Sequence, residues 1–84
     1  MTQTTFLEVK NVEFLKNYNV KLQFSTGETK IVDLEPDLSG EVFEPLKDPV
    51  FFRQGKIIYN TVEWPNGADF APEYLLAKSS TIRY

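Results

Sequence analysis

The sequence predicts an α+β domain, in which a small antiparallel sheet of about five strands built from hairpins carries two short helices. Apolar and polar residues alternate over Val20–Phe24, and the alternation resumes after a polar turn, which predicts a hairpin. Asp48-Pro49 and Pro72 have the residue types that begin helices. The chain has 84 residues, so we expect a single domain, residues 1–84.

The first hairpin has the clearest pattern. The alternation of Val20–Phe24 predicts a strand with one buried face, and Tyr18 extends that face. Ser25-Thr26-Gly27 follows as a polar turn, in which the glycine is expected to adopt a positive φ. Glu28–Leu34 then alternates again, as the second strand of the hairpin requires.

The segments on either side of this hairpin are less regular. Phe6–Val12 predicts a strand that pairs with the hairpin, although Lys10-Asn11 interrupts its alternation. Glu35–Gly40 is interpreted as a connection, because Pro36 lacks the amide that a strand ladder needs. Phe43 and Leu46 are expected to be buried in an irregular or one-turn helical segment.

The second half of the chain predicts a helix, a hairpin and another helix. The first helix, about residues 49–54, has Asp48 as its N-cap and is expected to end at Gly55. Strands follow at 56–58 and 61–64, joined by a tight turn at Tyr59-Asn60. Pro72 begins the second helix, about residues 72–78, and residues 79–84 are expected to fray.

Composition excludes several classes of function. The sequence has neither cysteine nor histidine, which excludes disulfides, thiolate or imidazole metal sites and histidine-based catalysis. The net charge of −3 and the scattered bases argue against direct binding to nucleic acid or anionic membranes. No signal peptide or membrane-spanning run is present, so we expect a cytoplasmic protein. Because the sequence has no histidine, cysteine or catalytic motif, we also expect a protein that is not an enzyme and needs no cofactor.

Closely spaced acids raise the alternative of a divalent-metal site. Asp33 begins a run of alternating carboxylates, which are ligands that Ca²⁺ and Mg²⁺ prefer. Counted from Asp33, however, the sixth position of an EF-hand loop is Leu38 instead of glycine. A solvated connection that contains caps and turn residues is the competing interpretation.

The loop at residues 64–69, "WPNGAD", is the candidate recognition site. Trp64 is large enough to act as a hub of the core, and Asn66-Gly67 favours a turn. Asp69 lies three residues before Pro72, where its carboxylate is expected to cap the following helix. A purely structural role for the loop therefore stands beside a recognition role.

Three segments together resemble one family. They are "VKLQFSTGETKIVDL" (Val20–Leu34), "VFEPLKDPVFF" (Val42–Phe52) and "WPNGAD" (Trp64–Asp69), and the resemblance to the bacterial domain of unknown function 2442 family extends from about Val9 to Leu76. The resemblance implies either a stand-alone domain of this length or one fused to a helix-turn-helix, and we expect this chain to be the stand-alone form. It also implies toxin–antitoxin-like or regulatory pairs of neighbouring genes, without a defined activity.

Two hypotheses follow for function. The first is a non-catalytic protein-interaction or regulatory adaptor module, which binds another small protein encoded by a neighbouring gene through a sheet edge or the signature loop. Its candidate recognition residues are Trp64, Asn66, Gly67, Asp69 and Asp33. The second is a small-ligand or divalent-metal binding domain in which Asp33, Asn66 and Asp69 converge near Trp64. Exposed sheet edges are also compatible with a homodimer.

Overall fold

The computed structural model describes residues 7–81. The predicted α+β class is confirmed, and all five predicted strands are present. The elements are β1 (Val9–Phe14), β2 (Asn19–Phe24), β3 (Thr29–Asp33), α1 (Pro49–Phe52), β4 (Lys56–Ile58), β5 (Thr61–Glu63), α2 (Pro72–Lys78) and β6 (Ser80–Thr81). Within residues 7–81, the five predicted strands and the short sixth strand β6 form two antiparallel sheets, one with the order β1-β2-β3-β6 and one formed by β4 and β5.

The first hairpin forms as its alternation predicts. Val20, Leu22 and Phe24 of β2 are fully buried, while the intervening side chains of β2 lie on the outer face of the sheet. Gly27 closes the turn with a φ of +93° and donates its N–H to the Phe24 carbonyl over 2.9 Å. The predicted positive φ is therefore confirmed.

A β-bulge explains why the alternation of the first strand is interrupted. Val9 pairs with Phe24, but the next paired residue is Asn11, so Lys10 is the extra residue of the bulge. Because of this extra residue, Val9 and Val12 both face the inner side of the sheet, and both pack against the core. The strand pairs with the hairpin as expected but runs to Phe14, and its expected beginning at Phe6 lies outside the described residues.

The first helix begins as predicted and is shorter than predicted. The Asp48 side chain accepts a hydrogen bond from the Val50 N–H at 3.0 Å, and Pro49 is the first helical residue. The helix ends at Phe52, two residues before the expected position 54. Phe52 is fully buried, so this short helix contributes one residue to the core.

The irregular segments also pack as expected. Glu35–Asp37 and Glu44–Lys47 form single 3₁₀ turns, and Leu46 is buried while Phe43 packs against the core. The second helix, Pro72–Lys78, has the predicted bounds. The expected fraying of residues 79–84 is wrong for Ser80–Thr81, because the backbone of these two residues pairs with β3, while residues 82–84 lie outside the described residues.

The second hairpin has a strained turn. Ile58 pairs with Thr61, so Tyr59-Asn60 is the two-residue turn that the sequence predicts. Tyr59 has a φ of +60°, a conformation that glycine, asparagine and aspartate adopt more readily than an aromatic residue. The Asn60 carbonyl accepts a hydrogen bond from the Val9 N–H at 2.8 Å, which ties this hairpin to the beginning of β1.

The core lies between the inner face of the larger sheet and the elements that follow it. Its buried side chains come from every part of the chain between Val9 and Leu75. They are Val9, Val20, Leu22, Phe24, Val32, Leu34, Leu38, Leu46, Phe52, Val62, Trp64, Ala68, Phe70 and Leu75. Among the residues that the structure describes, no helix has the length and apolar character needed to span a membrane.

Candidate functional site

Trp64 anchors the candidate recognition loop in the core. Its side chain is only 1% exposed, and its Nε1 donates a hydrogen bond to the Phe52 carbonyl at 2.6 Å. The indole stacks on the Phe52 ring and meets the Phe70 ring edge to face, with centroids 5.7 and 6.0 Å away. Because Trp64 is buried, it supports the loop and is not itself available to a partner.

The turn after Trp64 is closed by two backbone hydrogen bonds. The Gly67 N–H donates to the Trp64 carbonyl at 2.8 Å, and the Trp64 N–H donates to the Ala68 carbonyl at 2.9 Å. Gly67 has a φ of +88°, as a three-residue hairpin loop with a glycine bulge requires. The glycine of the signature is therefore explained by backbone geometry.

Asn66 joins two exposed loops. Its Oδ1 accepts a hydrogen bond from the Ala68 N–H at 3.2 Å, and its Nδ2 donates to the Val42 carbonyl at 2.8 Å. The Val42 side chain is 54% exposed beside this junction. We use the name loop patch for five exposed residues at and beside this junction, which are Val42, Pro65, Asn66, Gly67 and Asp69.

Asp69 does not cap the second helix, so that prediction is wrong. The N-cap residue is Ala71, and no side chain caps this helix. Asp69 instead forms an isolated antiparallel bridge with Glu63, which extends the pairing of β5 past the turn. This pairing, with the buried bond from the Thr61 Oγ1 to the Phe70 carbonyl at 2.6 Å, sets the path of the chain into the helix. The Asp69 side chain is left exposed.

The structure does not place Asp33 on the loop patch. Asp33 is the last residue of β3 in the larger sheet, and its Oδ1 accepts a hydrogen bond from the Glu35 N–H at 3.0 Å. Asp69, by contrast, is bridged to the smaller sheet. Over residues 7–81, no three acidic side chains lie close enough together to hold a metal ion. Asp33 thus acts as a local turn residue after β3.

Another cluster of polar side chains, which the sequence reasoning missed, joins the connection after β3 to α2. Asp37 accepts hydrogen bonds from the Tyr74 hydroxyl and from the Lys78 Nζ, and only 15% of its side chain is exposed. The Lys78 Nζ also lies 5.9 Å from the centroid of the Tyr74 ring. Tyr74 and Lys78 are four residues apart and so lie on one face of α2. This spacing is the one sequence feature that could have indicated the cluster.

The electrostatics of this cluster stabilise the ionised form of Asp37. Burial raises the pKa of the Asp37 carboxyl, but the hydrogen bonds from Lys78 and Tyr74 and the lysine charge outweigh burial, so the pKa lies below its ordinary value. The hydrogen bond to Asp37, followed by burial and the carboxylate charge, raises the pKa of Tyr74. A phenol with a raised pKa is poorly suited to act as a general base. The hydrogen bonds of Asp37 with Tyr74 and Lys78 instead hold α2 against the connection after β3, which is a structural role.

Comparison with known proteins adds one finding. No protein of curated function and no solved structure matches the chain significantly. A family model matches residues 9–81, which include β1, the loop patch and both helices. The chain therefore belongs to the family described as Protein of unknown function (DUF2442).

Proposed function

We propose that this chain is a non-catalytic protein-interaction module that acts as a regulatory adaptor through the loop patch. The hydrogen bond from the Asn66 Nδ2 to the Val42 carbonyl, 2.8 Å long, is the observation that carries the proposal. This bond joins two exposed loops, so that they present a single surface. It uses the side chain of the signature asparagine, which thereby shapes the surface and supplies part of it.

The loop patch is ordered before any partner binds. Both polar groups of Asn66 are hydrogen-bonded, Gly67 closes the turn, and Trp64 holds its beginning in the core. A preorganised loop loses little conformational entropy on association, which raises affinity for a given contact area. Such rigidity suits a recognition surface and is not needed in a loop that only connects two elements.

The composition of the loop patch resembles a small interface centre. Val42 and Pro65 are apolar and exposed, and the polar side chains of Asn66 and Asp69 belong to the same patch. Apolar centres with polar rims are typical of protein–protein interfaces. A stable interface buries roughly 800 Å² on each partner, so the contact must extend beyond these five residues.

The partner that we propose is another small protein, encoded by a neighbouring gene, in a toxin–antitoxin-like pair. The net charge of −3 favours a protein partner over nucleic acid. An adaptor of this kind needs neither a cofactor nor a catalytic group.

Copurification from the native host tests the proposal. We expect the wild-type chain to retain a stoichiometric partner, and Val42→Asp to lose it, because a charge would be buried in the apolar centre of the interface. Val50→Asp is the matched control, because Val50 is 69% exposed and lies outside the loop patch.

Thermal unfolding of both variants checks that the fold is intact, since both positions are exposed in the free chain. Copurification of an equal amount of partner with the two variants would refute the role of the loop patch. A wild-type chain that retains no stoichiometric partner would refute the adaptor function itself.

A further inference from the structure

A column of three aromatic rings connects the loop patch to the second helix. The Phe43 ring stacks on the Phe70 ring, with centroids 4.8 Å apart and planes inclined by 17°. Phe70 in turn stacks on Tyr74 of α2, with centroids 5.9 Å apart and planes inclined by 11°. Phe43 follows Val42 in the chain, so the column begins beside the bond between Val42 and Asn66 and ends at Tyr74.

Tyr74 extends the exposed apolar surface beyond the loop patch. Tyr74 is 46% exposed and Val42 is 54% exposed, while Phe70 beneath them is buried. The Tyr74 hydroxyl is held by its hydrogen bond to Asp37, so the ring is fixed before any partner binds. Tyrosine is enriched among the residues that dominate binding at interfaces. Tyr74 therefore supplies part of the additional contact area that a stable interface needs.

The negative charge of the chain is concentrated in the two segments that form this surface. Residues 35–47 and 65–78 together contain six acids and two bases, which is a net charge of −4. The remainder of the chain contains six acids and seven bases, which is a net charge of +1. The two segments meet at the Asn66 bond, the ring column and the Asp37 cluster, so their charges share one region of the surface.

Most of these carboxylates are available to a partner. Two of the six acids are paired with the two bases, and within residues 7–81 the other four form no ion pair. These four are exposed, and they are Glu35, Glu41, Asp69 and Glu73. Glu41 precedes Val42 and Glu73 precedes Tyr74, so carboxylates flank both exposed apolar residues. Such a surface repels a second copy of itself and attracts a partner that carries positive charge.

We propose that the loop patch and Tyr74 form one docking surface for a basic partner protein. The partner's apolar side chains contact Val42 and Tyr74. Its lysine or arginine side chains face Glu41, Asp69 and Glu73. This inference rests on the proposed adaptor function and specifies the chemistry of its partner. Attraction between opposite charges is screened by salt, so we expect binding to weaken as the ionic strength rises.

Titration of the isotope-labelled chain with a basic peptide, followed by nuclear magnetic resonance, tests this surface without the natural partner. The probe is a blocked peptide of sequence Arg-Leu-Arg-Leu-Arg, which combines apolar side chains with positive charge. We expect the largest shift changes at the backbone amides of residues 41–43, 66–69 and 73–74. At about 1 M salt, where the screening length falls to roughly 3 Å, we expect binding to be lost.

A second peptide and two double variants separate this surface from a general attraction for cations. The peptide Arg-Gly-Arg-Gly-Arg lacks apolar side chains and should bind about tenfold more weakly. Glu41→Lys combined with Asp69→Lys should raise the dissociation constant of the first peptide about tenfold, because two attractions become repulsions. Glu13→Lys combined with Glu28→Lys changes the net charge equally at exposed positions of the first two strands and their hairpin, and should have much less effect. The same spectra show whether each variant keeps the fold.

Several results would overturn the proposal. They are a basic peptide that causes no localised shift changes, equal weakening by the two double variants, equal binding of the two peptides, and shift changes that spare residues 73–74. In the copurification experiment, a partner that the Glu41→Lys and Asp69→Lys double variant retains as well as the wild type would overturn the basic partner and leave the adaptor function standing. A wild-type chain without a stoichiometric partner would refute the adaptor function, and the peptide titration would still decide which chemistry the surface prefers.

Discussion

Replacing Gly55 by alanine should destabilise this protein through a clash with Trp64. A Cβ at Gly55 would lie 2.9 Å from both the Cε2 and Nε1 atoms of the Trp64 indole and 3.0 Å from the Cζ atom of Phe14. Real Cβ atoms essentially never come so close to other atoms, so the indole or the backbone must move. The φ of Gly55 lies outside the positive region, so the backbone conformation itself does not require glycine.

The indole has little freedom to move. Its Nε1 is hydrogen-bonded to the Phe52 carbonyl at 2.6 Å, and its ring is packed between aromatic neighbours. Overpacking of such a core position usually costs about 1–3 kcal/mol. A domain of this size has a total stability of roughly 5–10 kcal/mol, so Gly55→Ala should lower the unfolding midpoint clearly while leaving the protein folded.

A double-mutant cycle isolates this contact. Trp64→Phe removes the Nε1–H hydrogen bond that fixes the ring and leaves a smaller ring that can move away from position 55. Gly55→Ala should therefore cost less in that background, with an interaction energy of about 1 kcal/mol or more. Denaturant unfolding followed by far-ultraviolet circular dichroism measures all four proteins, because Trp64 is the only tryptophan available for fluorescence.

Gly67→Ala is a useful control, because no other atom lies within 4 Å of a Cβ added at Gly67. The loss of stability in this variant therefore arises only from the φ of +88°, which is unfavourable for alanine. That cost should therefore persist when Trp64 is replaced. The reasoning is refuted if Gly55→Ala has wild-type stability, or if its cost is the same with tryptophan and with phenylalanine at position 64.

Four further substitutions test the polar residues and the strained turn. Asp37→Asn should lower the free energy of unfolding by about 1 kcal/mol at pH 7. Folding lowers the pKa of Asp37 below 3.8, so the stability difference between the wild type and the variant should disappear as the pH falls through that lowered pKa. Acid-unfolding curves of the two proteins measure this difference. Asn66→Ala should lower the free energy of unfolding by about 1 kcal/mol, because its hydrogen bonds are lost. Asp69→Ala removes no helix cap, so it should change the free energy of unfolding by less than about 0.5 kcal/mol. Urea unfolding measures both variants. Tyr59→Gly should raise the melting temperature by relieving the positive φ, with a gain of about 0.5 kcal/mol, and equal or lower stability would contradict the strain.

The local elements of this protein were determined by sequence alone. Alternation over Val20–Phe24 and the polar turn with Gly27 predicted the first hairpin, and Asp48-Pro49 predicted the beginning of a helix. These signals are local because a turn, a cap or a buried strand face depends on neighbours within a few residues. The family resemblance was likewise recognisable from motifs in the sequence, and the match over residues 9–81 confirms it.

Tertiary structure decided how those elements meet. Asp69 looked like a helix cap because of its spacing to Pro72, but pairing with Glu63 takes its backbone into a bridge. Asp37 and Lys78 are 41 residues apart, and no local pattern relates them. Contacts of this kind form only after distant segments have packed, because the free energy that holds them comes from burial shared by the whole core. For the same reason, the surface joined by Asn66 and the placement of the Tyr59 turn beside β1 could be identified only in the folded chain.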